Sequence, residues 1–298
     1  MASFMKIKRE WRFPKEFEKR MFRGRKIIIA TKHQKEAVIA PILERELGLS
    51  AFVDERLDTD LLGTFSGEIE RKLDPMATAR QKCLMAMELA GCDLGLASEG
   101  SFGPHPSLFF VSANEEFLMF IDKQNDLEIV VRELSTDTNF NGKEIQDEEA
   151  LLEFARQAGF PSHGLILRRS SDDFGELHKG ITDFDRLKAT FAAIVKTHGR
   201  AYVETDMRAL YNPTRMRVIQ KAAEKLVQKI KSTCPQCDTP GFGVTGAKRG
   251  LPCSLCGSPT RSVLSHLYVC ARCNYTKEEM YPNGQREEDP MYCDHCNP

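Results

Sequence analysis

Four C-x-x-C pairs, Cys234/Cys237, Cys253/Cys256, Cys270/Cys273 and Cys293/Cys296, fall within residues 232–298 and account for eight of the ten cysteines. A C-x-x-C turn presents two thiolates to one ion, and tetrahedral zinc takes two such turns. Eight ligands therefore predict two closed structural zinc sites, in a reducing compartment rather than in a disulfide framework. The pairs are separated by 15, 13 and 19 residues. Sequential pairing would close loops of 15 and 19; nested pairing would put Cys253, Cys256, Cys270 and Cys273 on one ion. With eight thiolates present, His266 and His295 are read as exposed or supporting residues.

Two further groups could do chemistry. In Leu94-GLASEGSFG-Pro104, Glu99 follows an apolar run and sits in a loop with Gly100 and Gly103, where small residues let a ligand approach the backbone. In Tyr202-VETDMRALYNPTR-Met216, Glu204 and Asp206 alternate off a strand end, Arg208 follows, and Asn212 to Arg215 open a helix. Acids beside arginines at a helix N-terminus suit an anion or a metal, because free backbone N–H groups point there. The plainer reading is that Asn212 only caps the helix and Arg208 pairs with Asp206.

These residues need elements to hold them. The run KIIIAT at residues 26–31 reads as a buried strand, and Gln34 to Leu47 as a helix stopped by Gly48, with a kink or break at Pro41. A second helix, from Pro75 to Ala90, is capped by Asp74 and closed by Gly91, with Met76, Cys83, Met87 and Ala90 on one side. Strands are predicted at Leu94 to Ser98, Leu108 to Ser112, Phe117 to Ile121 and Leu127 to Leu134, the last two joined by the polar turn Asp122 to Asp126 into an antiparallel hairpin. Helices follow at Glu148 to Ala158, at Asp183 to Thr197 with Phe184, Leu187, Phe191 and Ile194 inward, and from Asn212-Pro213 onward. Strands fall at Gly164 to Arg168 and Ala201 to Glu204. The expected fold is α/β: a mixed sheet with an antiparallel hairpin, flanked by helices, plus a C-terminal double zinc ribbon. The expected domains are a basic N-terminal extension (1–25), the α/β core (26–231) and the cysteine tail (232–298).

The net charge of -1 is a cancellation. Residues 1–26 carry ten Lys/Arg and three Asp/Glu, a surplus of +7; residues 27–231 sum to -7 and residues 232–298 to -1, or -5 once eight thiolates hold two zinc ions. A nucleic-acid-tracking tail should show a basic stripe, so nucleic-acid contact, if any, is assigned to residues 1–26, where Trp11, Phe13, Phe17 and Phe22 interleave with the cations. The plainer reading of that segment is a terminal helix docking its aromatics on the body. There is no signal-peptide pattern and no apolar run near the roughly 20 residues of a membrane span, which predicts a cytoplasmic protein.

The strand followed by ATKHQKE (Ala30 to Glu36), the Asp74-capped helix with Ala79-Arg80-Gln81-Lys82, and Asp93 and Glu99 six residues apart with Gly100 following resemble the inosine/xanthosine triphosphate pyrophosphatase superfamily. The likeness is closest to its non-canonical purine branch and spans residues 26–134. The usual Thr-x-Asn-x-x-Lys reads here Thr31-Lys32-His33-Gln34-Lys35-Glu36, with His33 in place of the Asn and the lysine displaced by one. The segment C-S-L-C-G…Y-V-C-A-R-C-N-Y resembles a zinc ribbon, which favours nested pairing, and the tail resembles that of an uncharacterised bacterial family with four C-x-x-C pairs.

The first resemblance implies pyrophosphohydrolysis of a nucleoside triphosphate. Glu99, with Asp93 or an acid of the Glu68/Glu70 pair, would bind Mg²⁺, while Thr31, Lys32, Lys35 and Arg80 or Lys82 would contact phosphate. Outside that pattern, Arg215 at the start of the last helix is a further phosphate-binding candidate. A solvated helix face is the plainer reading of Arg80 and Lys82, and a helix-to-strand turn that of Asp93. The competing expectation is a non-catalytic zinc-ribbon adaptor that binds nucleic acid through its basic head or a protein partner.

Overall fold

A run of β-branched residues with four of its five side chains buried makes Lys26–Ala30 the first strand, β1. The computed structural model describes residues 21–57 and 74–298. Beyond the turn at residues 31–35 comes α1 (Glu36–Leu47), which contains Pro41 without a break and ends where Gly48 turns left-handed at φ 68°. Strand β2 (Ser50–Phe52) returns beside β1. Helix α2 (Pro75–Ala90) begins as expected, the Asp74 side chain accepting from the backbone N–H groups of Met76 and Ala77 at 3.0 Å, and Gly91 closes it. Then come β3 (Leu94–Pro104), β4 (Ser112–Asp122) and β5 (Leu127–Ser135).

These strands form one sheet in the order β2-β1-β3-β4-β5, parallel among β2, β1 and β3 and antiparallel thereafter. The β4–β5 hairpin turns over residues 122–126, as its polar sequence predicts; the Asp122 carboxylate accepts from the Gln124 and Asn125 N–H groups. One face of the sheet packs Ile28, Ala30, Ala97 and Met119 against Ala79, Cys83, Ala86 and Met87 of α2. The helix lies close because β3 offers Gly95 there: a Cβ at that position would stand 2.5 Å from Met87 Cγ.

A second sheet follows. Its strands β6 (Gly142–Ile145), β7 (Leu165–Arg168), β8 (His178–Ile181) and β9 (Ala201–Thr205) run antiparallel in the order β6-β9-β7-β8. Helices α3 (Glu148–Ala158) and α4 (Phe184–His198) bury Leu151, Phe154, Leu187, Phe191 and Ile194 against Leu165, Leu167 and Val203. A 3₁₀ turn (Ala209–Tyr211) leads to α5 (Pro213–Lys231), the fifth α-helix among the described residues.

The chain divides into two compact units, Met1–Val227 and Gln228–Pro298. The second contains the antiparallel sheet of β10 (Val244–Arg249), β11 (Val263–Val269) and β12 (Thr276–Met280). Its apolar content is slight: Phe242 meets Tyr268 and Tyr275 beside Cys234 and Cys270. Among the described residues no helix is long and apolar enough to cross a membrane.

The single mixed sheet of the sequence reading is thus two sheets, one mixed and one antiparallel. The expected strand at Leu108 to Ser112 is instead largely the β3–β4 turn, where Phe109 and Phe110 are 78% and 88% exposed. Met76 and Phe184, expected inward, are also exposed. Residues 1–20 with Trp11, Phe13 and Phe17, and the acids Glu68 and Glu70, lie outside the described residues.

Candidate functional site

The strand order β2-β1-β3 means that the chain leaves β1 toward β2 on one side and returns to β3 on the other. The carboxyl ends of β1 and β3 therefore face a point where the connections part, which is where open α/β sheets leave a crevice. Pairing of β1 with β3 stops at Ala30/Ala97, and from Ser98 onward β3 is free of β1. Lys35 occupies that space. Its ammonium donates to Ser98 O at 3.2 Å and to Ser98 Oγ at 2.9 Å.

Around this point five buried charges gather from four elements and one loop. On the α2 side of β3, Glu99 Oε2 accepts from Lys82 Nζ at 2.6 Å. On the opposite side, at the level of Gly100, Arg215 Nε of α5 donates to Glu116 Oε1 of β4 at 2.7 Å. Glu116 has no exposure and Arg215 1%. Arg215 Nη1 also donates to Met207 O at 2.5 Å, and its guanidinium lies 5.1 Å from the Phe102 ring centre. Lys35 feels all four partners. Burial first, with the nearby Arg215 and Lys82, brings its pKa down to about 8 against the opposing pull of Glu116 and Glu99. Three cations against two carboxylates leave a surplus positive charge behind the half-buried Thr31 and exposed Lys32 of the β1–α1 loop.

The structure separates other candidates from this group. Asp93 stands just before β3, at the opposite end from Glu99, where Arg25 Nη2 reaches it at 3.2 Å. Six residue steps of extended chain, about 20 Å, part the two acids, so they cannot share an ion. Arg80 is the solvated residue of α2, paired with Glu128 at 2.6 Å, whereas Lys82 is buried, against the solvated-face reading. Sequence reasoning missed Glu116, which lies within an apolar strand; its signal was a charge at an inward position of the β4 alternation.

Glu204, Asp206 and Arg208 form a separate group on the second sheet. Asp206 is completely buried and accepts from Arg208 Nε and Nη2, the Arg208 N–H and the Gly180 N–H. Glu204 Oε2 accepts from Arg168 Nη2 at 2.9 Å, and burial raises its pKa. Asn212 caps α5, its Oδ1 accepting from the Arg215 N–H, so both halves of the plainer reading are seen. Arg215 and Met207 link this group to the first. In the basic head, Phe22 is buried edge-on against Phe120, and Arg25 is paired with Asp122 at 2.7 Å.

The tail cysteines form two groups, Cys234/Cys237 with Cys270/Cys273 and Cys253/Cys256 with Cys293/Cys296, each able to hold one zinc ion. The arrangement is neither sequential nor nested but interleaved, first pair with third and second with fourth. Sulfur separations across the pairs are 3.7 and 3.6 Å in one group and 3.8 and 3.6 Å in the other. Four sulfurs tetrahedrally placed about zinc at roughly 2.3 Å stand about 3.8 Å apart, while a disulfide needs about 2.05 Å. The donor set and spacing fit zinc.

All four turns share one hydrogen bond, from the N–H of the residue after the second cysteine to the first cysteine's carbonyl, at 2.8 to 3.0 Å in Asp238, Gly257, Asn274 and Asn297. Asp238, Gly257 and Asn274 take positive φ, which their residue types favour. The first two turns continue as Cys-Asp-Thr-Pro and Cys-Gly-Ser-Pro, the last two as Cys-Asn. Each quartet joins one turn of each kind.

The profile of a family described as a domain of unknown function (DUF6671) matches residues 82–298, and the chain belongs to that family. No curated protein matches the chain.

Proposed function

We propose that this member of the DUF6671 family binds a phosphate-bearing small molecule at the carboxyl ends of β1 and β3, and that its tail is a structural module holding two zinc ions. The observation that carries the first part is the surplus of buried cations, Lys35, Lys82 and Arg215 against Glu99 and Glu116, at the switch point of the sheet. A charge cluster kept from water is stabilised by an anion that completes it, and phosphate oxygens accept charge-assisted hydrogen bonds well. In this reading Thr31 and Lys32 meet the ligand first. Glu99 holds Lys82 in place, and Glu116 does the same for Arg215. Lys35, fixed on Ser98, supplies positive charge beneath the loop.

The finer proposal is that the ligand is a nucleoside triphosphate and the reaction its pyrophosphohydrolysis, as the sequence resemblance implies. Among the described residues, the carboxylates around this point do not fit a resident Mg²⁺. Such an ion asks for several oxygen ligands, yet Glu99 is engaged by Lys82, Glu116 by Arg215, and Asp93 stands at the far end of β3. A divalent ion would enter as part of the substrate. The test is to offer the full chain Mg²⁺ with a panel of canonical and deaminated nucleoside triphosphates. Pyrophosphate release that falls at least tenfold in Glu99→Gln supports the hydrolytic proposal; no release from any of them overturns it.

In the tail the ions would be structural, because four cysteines close the coordination shell and leave no position for a substrate.

A further inference from the structure

Arg168 is a buried cation whose hydrogen bonds do not close. It lies on β7, 6% exposed, with Nη2 given to Glu204 and with Nε and Nη1 buried and lacking a hydrogen-bond partner among the described residues. The rings of Phe174 and Tyr202 each lie 5.2 Å from its guanidinium carbon, so aromatic packing holds the group while offering its edges no acceptor. Orphaned guanidinium donors in a low-dielectric position are costly, which makes them informative about what completes them.

Two places before Arg168 on the same strand, and hence on the same face, is Ile166, which pairs directly with Glu204 of β9. Ile166 and Glu204 line a small cleft of about 60 Å³ together with Phe102, Asp206 and Arg208. A cleft of that size suits a small head group. Its charges favour an anion. The Asp206 oxygens are occupied by Arg208 and the Gly180 N–H, burial disfavours ionised Glu204, and Lys179 adds positive potential.

We infer that Arg168 and the adjoining cleft form a second site, distinct from the cluster around Lys35, that takes the oxyanion head group of a small molecule in the plane of the guanidinium. The oxyanion is a carboxylate or a phosphate, the two groups whose geometry matches that planar fork.

The test is an arginine-selective ¹⁵N spectrum of the full chain, with the Arg168 Nε–H signal assigned through its contacts to Phe174 and Tyr202. The protein is titrated with inorganic phosphate and, separately, with acetate at constant ionic strength. The inference predicts a saturable shift of that signal with one of the two, and the responding anion identifies the source. Arg168→Lys keeps the charge but loses the fork, and binding should weaken at least tenfold while the thermal transition is retained. Lys35→Met should leave the Arg168 response unchanged, which separates this site from the proposed phosphate site. A signal that neither anion moves means that water alone satisfies Arg168 and overturns the inference. So does equal binding by a folded Arg168→Lys.

Discussion

Arg215 Nε lies 2.7 Å from Glu116 Oε1, ninety-nine residues away in the chain, and neither side chain shows any exposure. The pair ties β4 of the mixed sheet to the start of α5, and Gly100 makes room for it: a Cβ there would fall 2.7 Å from Glu116 Oε1 and collide with Arg215. Breaking such a pair leaves a buried charge alone. Glu116→Gln and Arg215→Met should each destabilise the core by about 3–5 kcal/mol, and the double variant Glu116→Met/Arg215→Met by clearly less than the sum. Urea unfolding of the four proteins checks this; additive losses would show that the two residues act separately.

Gly100→Ala reaches the same pair without touching its charges. It should destabilise the core and weaken any anion binding there, since Arg215 must move to admit the methyl group. An unchanged thermal transition in Gly100→Ala would contradict the packing at this point.

Lys35 gives the core a pH signature. Its folded-state pKa of about 8 lies below the ordinary lysine value of 10.5. Between those values the unfolded chain binds a proton that the folded chain has released, so stability should rise with pH across that window, by up to about 3 kcal/mol in all. Lys35→Met removes the buried ammonium and should lose this rise while gaining stability near pH 7. Denaturant midpoints from pH 7.5 to 10.5 in both proteins measure it; parallel curves would contradict the assignment.

Interleaved ligands make the two metal sites interdependent. The segment between the turns of one site carries a turn of the other, so losing either ion should loosen both. Cys237→Ser and Cys256→Ser should each lower zinc content from two toward zero rather than to one. Strong chelation should collapse the tail while leaving most of the helical circular dichroism, since α1 to α4 belong to the other unit. A stable one-zinc state would argue against interdependence.

Much of this architecture was legible in the residues, and the misreadings have local causes. Caps announced themselves: Asp74 with Pro75, Gly48 and Gly91 bound their helices as their types require. The hairpin at Asp122 was equally plain. The apolar run at Leu108 misled because apolar composition alone does not distinguish a buried strand from an exposed turn. Strands β6 and β8 went unseen because they are short, partly polar edge strands, β6 with a single buried side chain. Eight cysteines predicted two quartets, but spacing could not choose their pairing. The residues after each pair narrow it: Cys-x-x-Cys-Asp-Thr-Pro and Cys-x-x-Cys-Gly-Ser-Pro mark one turn type and the Cys-Asn endings the other, and one turn of each kind per site fits both the nested and the interleaved arrangement, between which only the fold decides. Lys82 looked solvated on its helix because its partner Glu99 comes from a strand, and only the fold brings them together.

The claim that most needs testing is anion binding at the ends of β1 and β3. Calorimetric titration of magnesium nucleoside triphosphates into the full chain, and into Lys35→Met, tests it directly. The account predicts one saturable event in the wild-type protein, weakened at least tenfold in Lys35→Met although that variant is folded. Identical binding by the two proteins, or no binding of any triphosphate by the wild type, would contradict it.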